Sequence, residues 1–400
     1  MITRRQLLQA GAFLPAAGRA ARRKTVAAVV TEYRHWSHAD VIVGRLLGGY
    51  SANGVHTPPR TRVVSLYCDQ FPSNDMSRDL AARHGFRIYP TIAQALTLDG
   101  SRLAVDAVVF VGEHGNYPTN DLGQKLYPRY ELFMQILDVF ERSGRAVPTF
   151  FDKHLSYSWE KAIGIYRRVR ELKVPLMAGS SAPVTIRTPE LEIPLETPIE
   201  KAVAVGHGDI DAYGFHLLEC VQCMLERRAG GETGVRSVEF LEGDAVWKWR
   251  DSDTGGWSRP LLEAALRASP GREPVPPETG GGNAVLFLIR YRDGIEAAAF
   301  ILPRINSRTL ALRIRDRAES LSTMFGPRER TRPLPHFDGL VRCIEEMFIT
   351  GKPLYPVERT LLTTGMLAFL FESKRVRKPV ETPALDMVYR APRHVYFQRS

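Results

Sequence analysis

Cysteine is scarce in this chain. Four in 400 residues exclude a disulfide framework as the source of stability. Cys220 and Cys223 fall inside a helical pattern, and no second pair at metal-ligand spacing accompanies them. They read as buried thiols rather than zinc ligands or a redox pair. No apolar run is long enough to span a bilayer, no segment carries a compact His-Glu-x-x-His motif, and no internal repeat recurs. The most informative absence is of glycine. Residues 24–30 form an apolar strand pattern and 37–50 a helical one, yet the turn between them reads Thr31-Glu32-Tyr33-Arg34-His35-Trp36, with no glycine until Gly44. A strand–turn–helix unit that cradles a dinucleotide uses glycines there, so that backbone N–H groups approach the pyrophosphate at the helix N-terminus.

Acid is missing from the first 24 residues, which hold six Lys/Arg. Arg4-Arg5-Gln6-Leu7-Leu8, a weakly apolar stretch over 7–18 and the small-residue Gly18-Arg19-Ala20 resemble a twin-arginine export signal with its cleavage site. Residues 1–24 are therefore expected to be a targeting segment and the mature protein to be exported to the periplasm or another extracytoplasmic space. Without that segment the formal charge falls from +10 to +4, which gives no reason to expect a nucleic-acid partner. The basic cluster at 374–378 reads as a solvated turn.

What is present suits a globular protein of two domains, with 44% hydrophobic and 24% charged residues. Strand and helix patterns alternate over residues 25–180. The run 107–111 is apolar throughout, as in a strand buried on both faces. Helices are expected at 130–143, closed by Gly144, and at 159–172, capped by Ser158. Such alternation predicts an α/β Rossmann-like domain with a parallel sheet. Residues 181–400 differ. Strands are expected at 202–205, 235–242, 245–249, 283–291, 295–302 and 385–389, with helices at 213–228, 337–349 and 357–372. Arg292-Asp293-Gly294 is a hairpin signal. This half reads as an α+β domain with an open, mostly antiparallel sheet. Its segment 252–282, rich in Pro and Gly around one short helix, reads as a surface insertion.

The layout and several local phrases resemble the Gfo/Idh/MocA oxidoreductases, from about residue 25 to 390. Asp152-Lys153-His154-Leu155, followed by a helix and Pro175-Leu176-Met177-Ala178-Gly179, is similar to the family's Glu-Lys-Pro motif, with Asp for Glu and His for Pro. Tyr213-Gly214-Phe215-His216 and Glu219 resemble its Asp-x-Gly-x-His segment, although Ala212 stands at the aspartate position beside Asp211. The resemblance implies NAD or NADP, a sugar or polyol substrate, an active-site lysine at Lys153 and a proton-transferring histidine at His216. It implies a ribose-binding acid at Asp69 and a homo-oligomer built through the second sheet. Around the cofactor it would place Thr31, Glu32, Arg34, Glu113 and His114. Glu32 would there set a carboxylate against the phosphates, with Arg34 able to offset it.

Ligands of open α/β sheets bind beyond the carboxyl ends of the strands. Those ends gather Glu32, His35 and His38, then Glu113, His114, Tyr117 and Asn120, then Asp152, Lys153 and His154. Apolar strands ending in acids and imidazoles indicate a functional mouth. Lys153 is expected to orient a hydroxyl, with His154 and His216 as general acid/base groups. Three functions follow. The first is a sugar- or polyol-directed oxidoreductase with atypical NAD(P) binding. The second is a non-redox carbohydrate lyase, hydrolase or isomerase with these side chains, and a divalent metal as an option, in the cofactor crevice. The third is a non-catalytic carbohydrate-binding protein.

Overall fold

The computed structural model describes residues 22–52, 55–270, 283–327 and 334–399. The export signal expected at 1–24 therefore lies almost wholly outside the described residues, as does the 271–282 part of the insertion.

The first half runs β1 (Thr25–Val30), α1 (His38–Gly48), β2 (Tyr50–Ala52), β3 (Val55–Thr57), β4 (Arg62–Cys68), α2 (Ser77–His84), β5 (Arg87–Ile88), α3 (Ile92–Thr97), β6 (Ala107–Val111), α4 (Arg129–Ser143), β7 (Thr149–Asp152), α5 (Trp159–Glu171) and β8 (Leu176–Gly179). Six of these strands form one sheet in the order β5-β4-β1-β6-β7-β8, with every pairing parallel. This is the Rossmann-like arrangement expected. Both faces are covered, which is why β6 is apolar throughout and wholly buried. Ser158 caps α5 by accepting the Lys161 N–H at 3.3 Å. Gly144 ends α4 at a φ of +59°, a conformation that favours glycine. The strand order reverses between β1 and β6, and the crevice there faces the turns after both strands.

The second half runs β9 (Arg187–Thr188), β10 (Ile199–Gly206), α6 (Ala212–Leu225), β11 (Val235–Glu242), α7 (Asp244–Arg250), α8 (Ser258–Arg267), β12 (Val285–Tyr291), β13 (Glu296–Ile301), β14 (Thr309–Ile314), β15 (Leu321–Phe325), α9 (Asp338–Thr350), α10 (Val357–Val376) and β16 (Val380–Glu381). Its eight-stranded sheet has the order β16-β11-β12-β13-β10-β14-β15-β9. Only β10 and β13 pair in parallel, so the sheet is mostly antiparallel as expected. One face packs on α6 and α10 through Phe215, Leu218, Leu362 and Met366. The other is sealed by α7 and α8, whose Val246, Trp247, Leu261 and Ala265 cover Val203, Val205, Leu286 and Phe300.

Three sequence expectations are corrected. Residues 245–249 form helix α7 instead of a strand. β11 already has β12 on one side and β16 on the other, so no edge is left to pair with. Gly243, at a φ of +62°, turns the chain over the sheet face instead. Residues 385–389 are not a strand either. Leu385 ends a short 3-10 turn, and Tyr389 is held by its hydroxyl, which donates to Glu226 at 2.9 Å. The basic cluster at 374–378 includes the last residues of α10.

α9 packs on the first sheet although it lies far along the chain. Phe337, Leu340, Ile344 and Phe348 join Val41, Val30 and Val109 in one core. Buried Glu345 fixes the docking by accepting the N–H groups of Arg60 and Thr61 at 2.9 and 2.8 Å. Arg45 of α1 donates to Asp338 at 2.6 Å. α10 lies between the two sheets. Its Gly365 admits Trp159 and Leu385 so closely that a Cβ would sit 2.4 Å from a Leu385 methyl.

Leu261 is 2% exposed at the centre of the α8 cover. Leu261→Ala should destabilise the fold by about 3 kcal/mol in urea unfolding. A loss below about 0.5 kcal/mol would mean that α8 does not seal the sheet.

Candidate active site

A cavity of about 820 Å³ opens between the two sheets. The turns after β1, β6 and β7 supply His38, Glu113, His114 and Lys153 to one wall. α6 supplies His216, and the residue before β14 supplies Arg308. Three residues at these strand-end turns hold left-handed backbone: Trp36 at φ +62°, His114 at +72° and Lys153 at +71°. Each costs about 1–2 kcal/mol for an L-residue, and such strain gathers where side chains are aimed for function. At Lys153 it comes from a bridge to Gly179, whose carbonyl accepts the Lys153 N–H at 3.0 Å.

Glu113 is the electrostatic centre. One carboxylate oxygen pairs with Arg129, and the other lies 3.6 Å from Lys153 Nζ. Burial pushes the Glu113 carboxyl up, but the Lys153 and Arg129 cations outweigh it and hold it well below the usual range. Lys153 Nζ donates to His216 Nε2 at 2.7 Å. Burial, and then the Lys153 charge, push His216 far down, so its imidazole is neutral. Its Nδ1 has no hydrogen-bond partner among the described residues.

A second pair stands on the same wall. His38 Nδ1 lies 2.6 Å from Oδ2 of Asp152, which is fully buried. With Nδ1–H donated to the carboxylate, the lone pair of Nε2 is the free valence of the ring. His114 Nδ1 accepts the His38 backbone N–H at 3.3 Å. Burial and the neighbouring His38 lower the His114 pKa to about 3.

The other residues singled out in the sequence lie elsewhere. His154 is behind the wall, with Nε2 accepting from Arg129 at 2.8 Å. Burial and Arg129 push its pKa far down, so its position does not support an acid/base role in the cavity. Asp211 accepts the Lys125 N–H at 2.9 Å, and burial raises its pKa to about 6. Thr31, Glu32, Arg34 and Asp69 do not line the cavity. Thr31 Oγ1 donates to the Glu113 carbonyl at 2.8 Å, Glu32 pairs with Arg34, and His35 is 3.5 Å from Asp40. Asp69 accepts from the Tyr67 and Tyr117 hydroxyls at 2.9 and 2.6 Å. Asn120 shapes a turn by accepting the N–H groups of Leu122 and Gln124. No group of three or more His, Cys, Asp or Glu among the described residues is arranged to hold a metal ion. Glu113 and Glu32, the acids a metal would need, already carry cations.

Sequence reasoning missed Arg129 and Arg308, and did not pair His38 with Asp152. For Arg129 there was a signal: a cation at a helix N-terminus opposes the helix dipole, so it needs an acid nearby.

No family model matches the sequence, and no curated protein does. Solved structures do. GenD2 from gentamicin A biosynthesis, in complex with NAD, superposes with a TM-score of 0.56 and 14% identity, over 92% of this chain and 99% of its own. A myo-inositol dehydrogenase from Corynebacterium glutamicum ATCC 13032 gives 0.54 and 10%, over 90% and 99%. The chain has the Gfo/Idh/MocA oxidoreductase fold. That fold also carries a super-repressor mutant of Gal80p from Saccharomyces cerevisiae, at 0.54 and 9% over 92% and 100%, so the Gfo/Idh/MocA fold alone does not decide between enzyme and regulator.

The fold raises the question of a dinucleotide, and the residues at the start of α1 do not fit one. The N–H groups a pyrophosphate would take are engaged by the chain itself. Trp36 N–H donates to Asp40 Oδ2 at 2.9 Å, His38 N–H to His114, and Asp40 N–H to Ser37 Oγ at 3.3 Å. Asp40 also sets a carboxylate where the phosphates would bring their charge. Tyr33 is fully buried beside Gly44, 3.6 Å from where a Cβ would stand.

His114 supplies a pH test. Above pH 6.5 it is neutral folded or unfolded; below that the unfolded chain takes up a proton that the native state refuses until about pH 3. The stability of the wild type relative to His114→Asn should therefore fall on acidification through this window, by about 1 kcal/mol per pH unit, in urea titrations. A pH-independent difference would remove the buried neutral imidazole from the account.

Proposed function

We propose that this chain is a sugar- or polyol-directed enzyme whose chemistry is proton transfer beside a carbonyl, as in an isomerase or lyase, with no dinucleotide at α1. The observation that carries this reading is the engagement of the Trp36, His38 and Asp40 N–H groups by the chain's own Asp40, His114 and Ser37. The adjoining cavity keeps the Lys153 ammonium and the imidazoles of His38 and His216.

The chemistry follows from the donors and acceptors. Lys153 has three N–H groups. One goes to His216 and one faces Glu113, which leaves a third for a carbonyl or hydroxyl oxygen of the substrate. A proton on the carbon beside that carbonyl is taken by His38 Nε2, supported by Asp152. The negative charge that develops on the oxygen is stabilised by Lys153 in a site of low dielectric. His216 keeps its hydrogen bond to Lys153 Nζ and holds the ammonium in place. In an isomerisation the His38 imidazolium formed by the abstraction delivers the proton it took to the former carbonyl carbon, while the neighbouring hydroxyl proton passes to the former carbonyl oxygen. In an elimination it delivers that proton to the departing hydroxyl, which leaves as water.

A second reading keeps the oxidoreductase activity and a nicotinamide cofactor. Its support is that GenD2 was solved with NAD. It requires a dinucleotide to displace Asp40 and His114 from the start of α1.

One experiment separates the two. The full chain is incubated in D2O with neutral and acidic aldoses and ketoses, and NMR follows deuterium uptake at carbon. Native mass spectrometry with added NAD and NADP is run in parallel. Exchange is expected at one carbon of a sugar probe, with no dinucleotide retained. Lys153→Met and His38→Asn should each slow exchange by about 100-fold or more. Retained NAD(P) with hydride transfer and no exchange would overturn the proposal in favour of the oxidoreductase.

A further inference from the structure

Arg308 is the cation of the cavity for which the described residues offer no counter-charge. Lys153 and Arg129 share Glu113. The cavity's other acid is Asp209, whose Oδ1 accepts the Ala212 N–H at 2.7 Å at the start of α6. Arg308 has neither an ion pair nor a side-chain hydrogen bond among the described residues, and its Nε is buried without a partner. A desolvated donor of this kind is costly to leave unmade. Its backbone is tied to the second sheet, because its carbonyl accepts the Phe325 N–H at 2.7 Å where β14 meets β15. Its charge reaches the reacting groups, since it is among the influences that lower His216, after burial and Lys153.

We infer that Arg308 binds an anionic substituent of the substrate, and that this substituent is a carboxylate, so the cavity takes a sugar acid of the uronic or aldonic class. The inference rests on the reading of the cavity as a sugar site. The planar fork of a guanidinium matches a carboxylate with two parallel N–H···O bonds. Among the described residues one uncompensated cation balances one negative charge, which favours a carboxylate over a doubly charged phosphate ester. Arg308 and Lys153 line the same cavity, so the carboxylate and the reacting carbonyl are two separate groups of one sugar. Anchoring the acid group would fix which carbon lies against His38.

The test is isothermal titration of the full chain with D-glucuronate, D-glucose and D-glucose 6-phosphate. D-Glucuronate should bind about tenfold or more tighter than D-glucose. Arg308→Gln should bring it to the level of D-glucose without changing D-glucose itself. Arg308→Lys, which keeps the charge but not the fork, should retain part of the preference, and it decides the question if the Gln variant does not fold. Equal binding of D-glucuronate and D-glucose by the wild type, or an Arg308→Gln variant that keeps the preference, overturns the assignment and leaves the sugar site standing. Preference for D-glucose 6-phosphate overturns the carboxylate in favour of a phosphate. Binding of none of the three sinks both this inference and the sugar-site reading.

Discussion

The site depends on one buried carboxylate. Glu113 follows β6, lies between Arg129 and Lys153 and keeps two buried cations from repelling each other. Remove that charge and Lys153 has no reason to stay where its ammonium meets His216 across the sheets. Its backbone is already held in a conformation that costs energy. Thr31, at the end of the neighbouring strand, holds the Glu113 carbonyl in place. The order of causes therefore runs from parallel pairing of β1 with β6, to the position of Glu113, to the posture of Lys153, whose charge adds to burial in keeping His216 neutral.

A second constraint acts at α1. A helix begins with unpaired N–H groups and a partial positive charge, and proteins of many kinds use that end to hold phosphate. Here the sequence supplies Ser37, Asp40 and His114 to the same donors. The fold is retained while its usual anion site is filled from within. The cavity beside it keeps its polar groups, which is why fold and chemistry have to be argued separately for this chain.

Much of this was legible in the sequence because it is local. The alternation of apolar runs gave the parallel sheet. Ser158 and Gly144 marked helix ends, and the absence of glycine between Val30 and Gly44 flagged the altered turn. The ends of β1, β6 and β7 drew attention to His38, Glu113, His114 and Lys153, which do meet in one cavity. What stayed hidden is non-local. The contact of His38 with Asp152 closes 114 residues, and nothing near either residue announces the other. The segment 245–249 carries Val246, Trp247 and Trp249, residues that suit a strand, and the occupied edges of β11 leave it to form a helix. His154 sits next to Lys153 in the chain, yet β7 has ended at Asp152 and Lys153 is in left-handed backbone, and His154 faces Arg129 rather than the cavity.

The docking of α9 has a consequence for how the protein is made. The strands of the first sheet are complete at Gly179, but the helix that closes one of its faces begins at Asp338. About 160 residues must leave the ribosome in between, which at about 5–20 residues per second is a wait of about 10–30 s. Throughout that time Val30, Val41 and Val109 lack the phenylalanines and leucines that later cover them. The amino-terminal half is thus not a unit that can finish folding as it emerges. Until α9 follows, the first core lacks Phe337, Leu340, Ile344 and Phe348, and a chain ending before Asp338 cannot complete it.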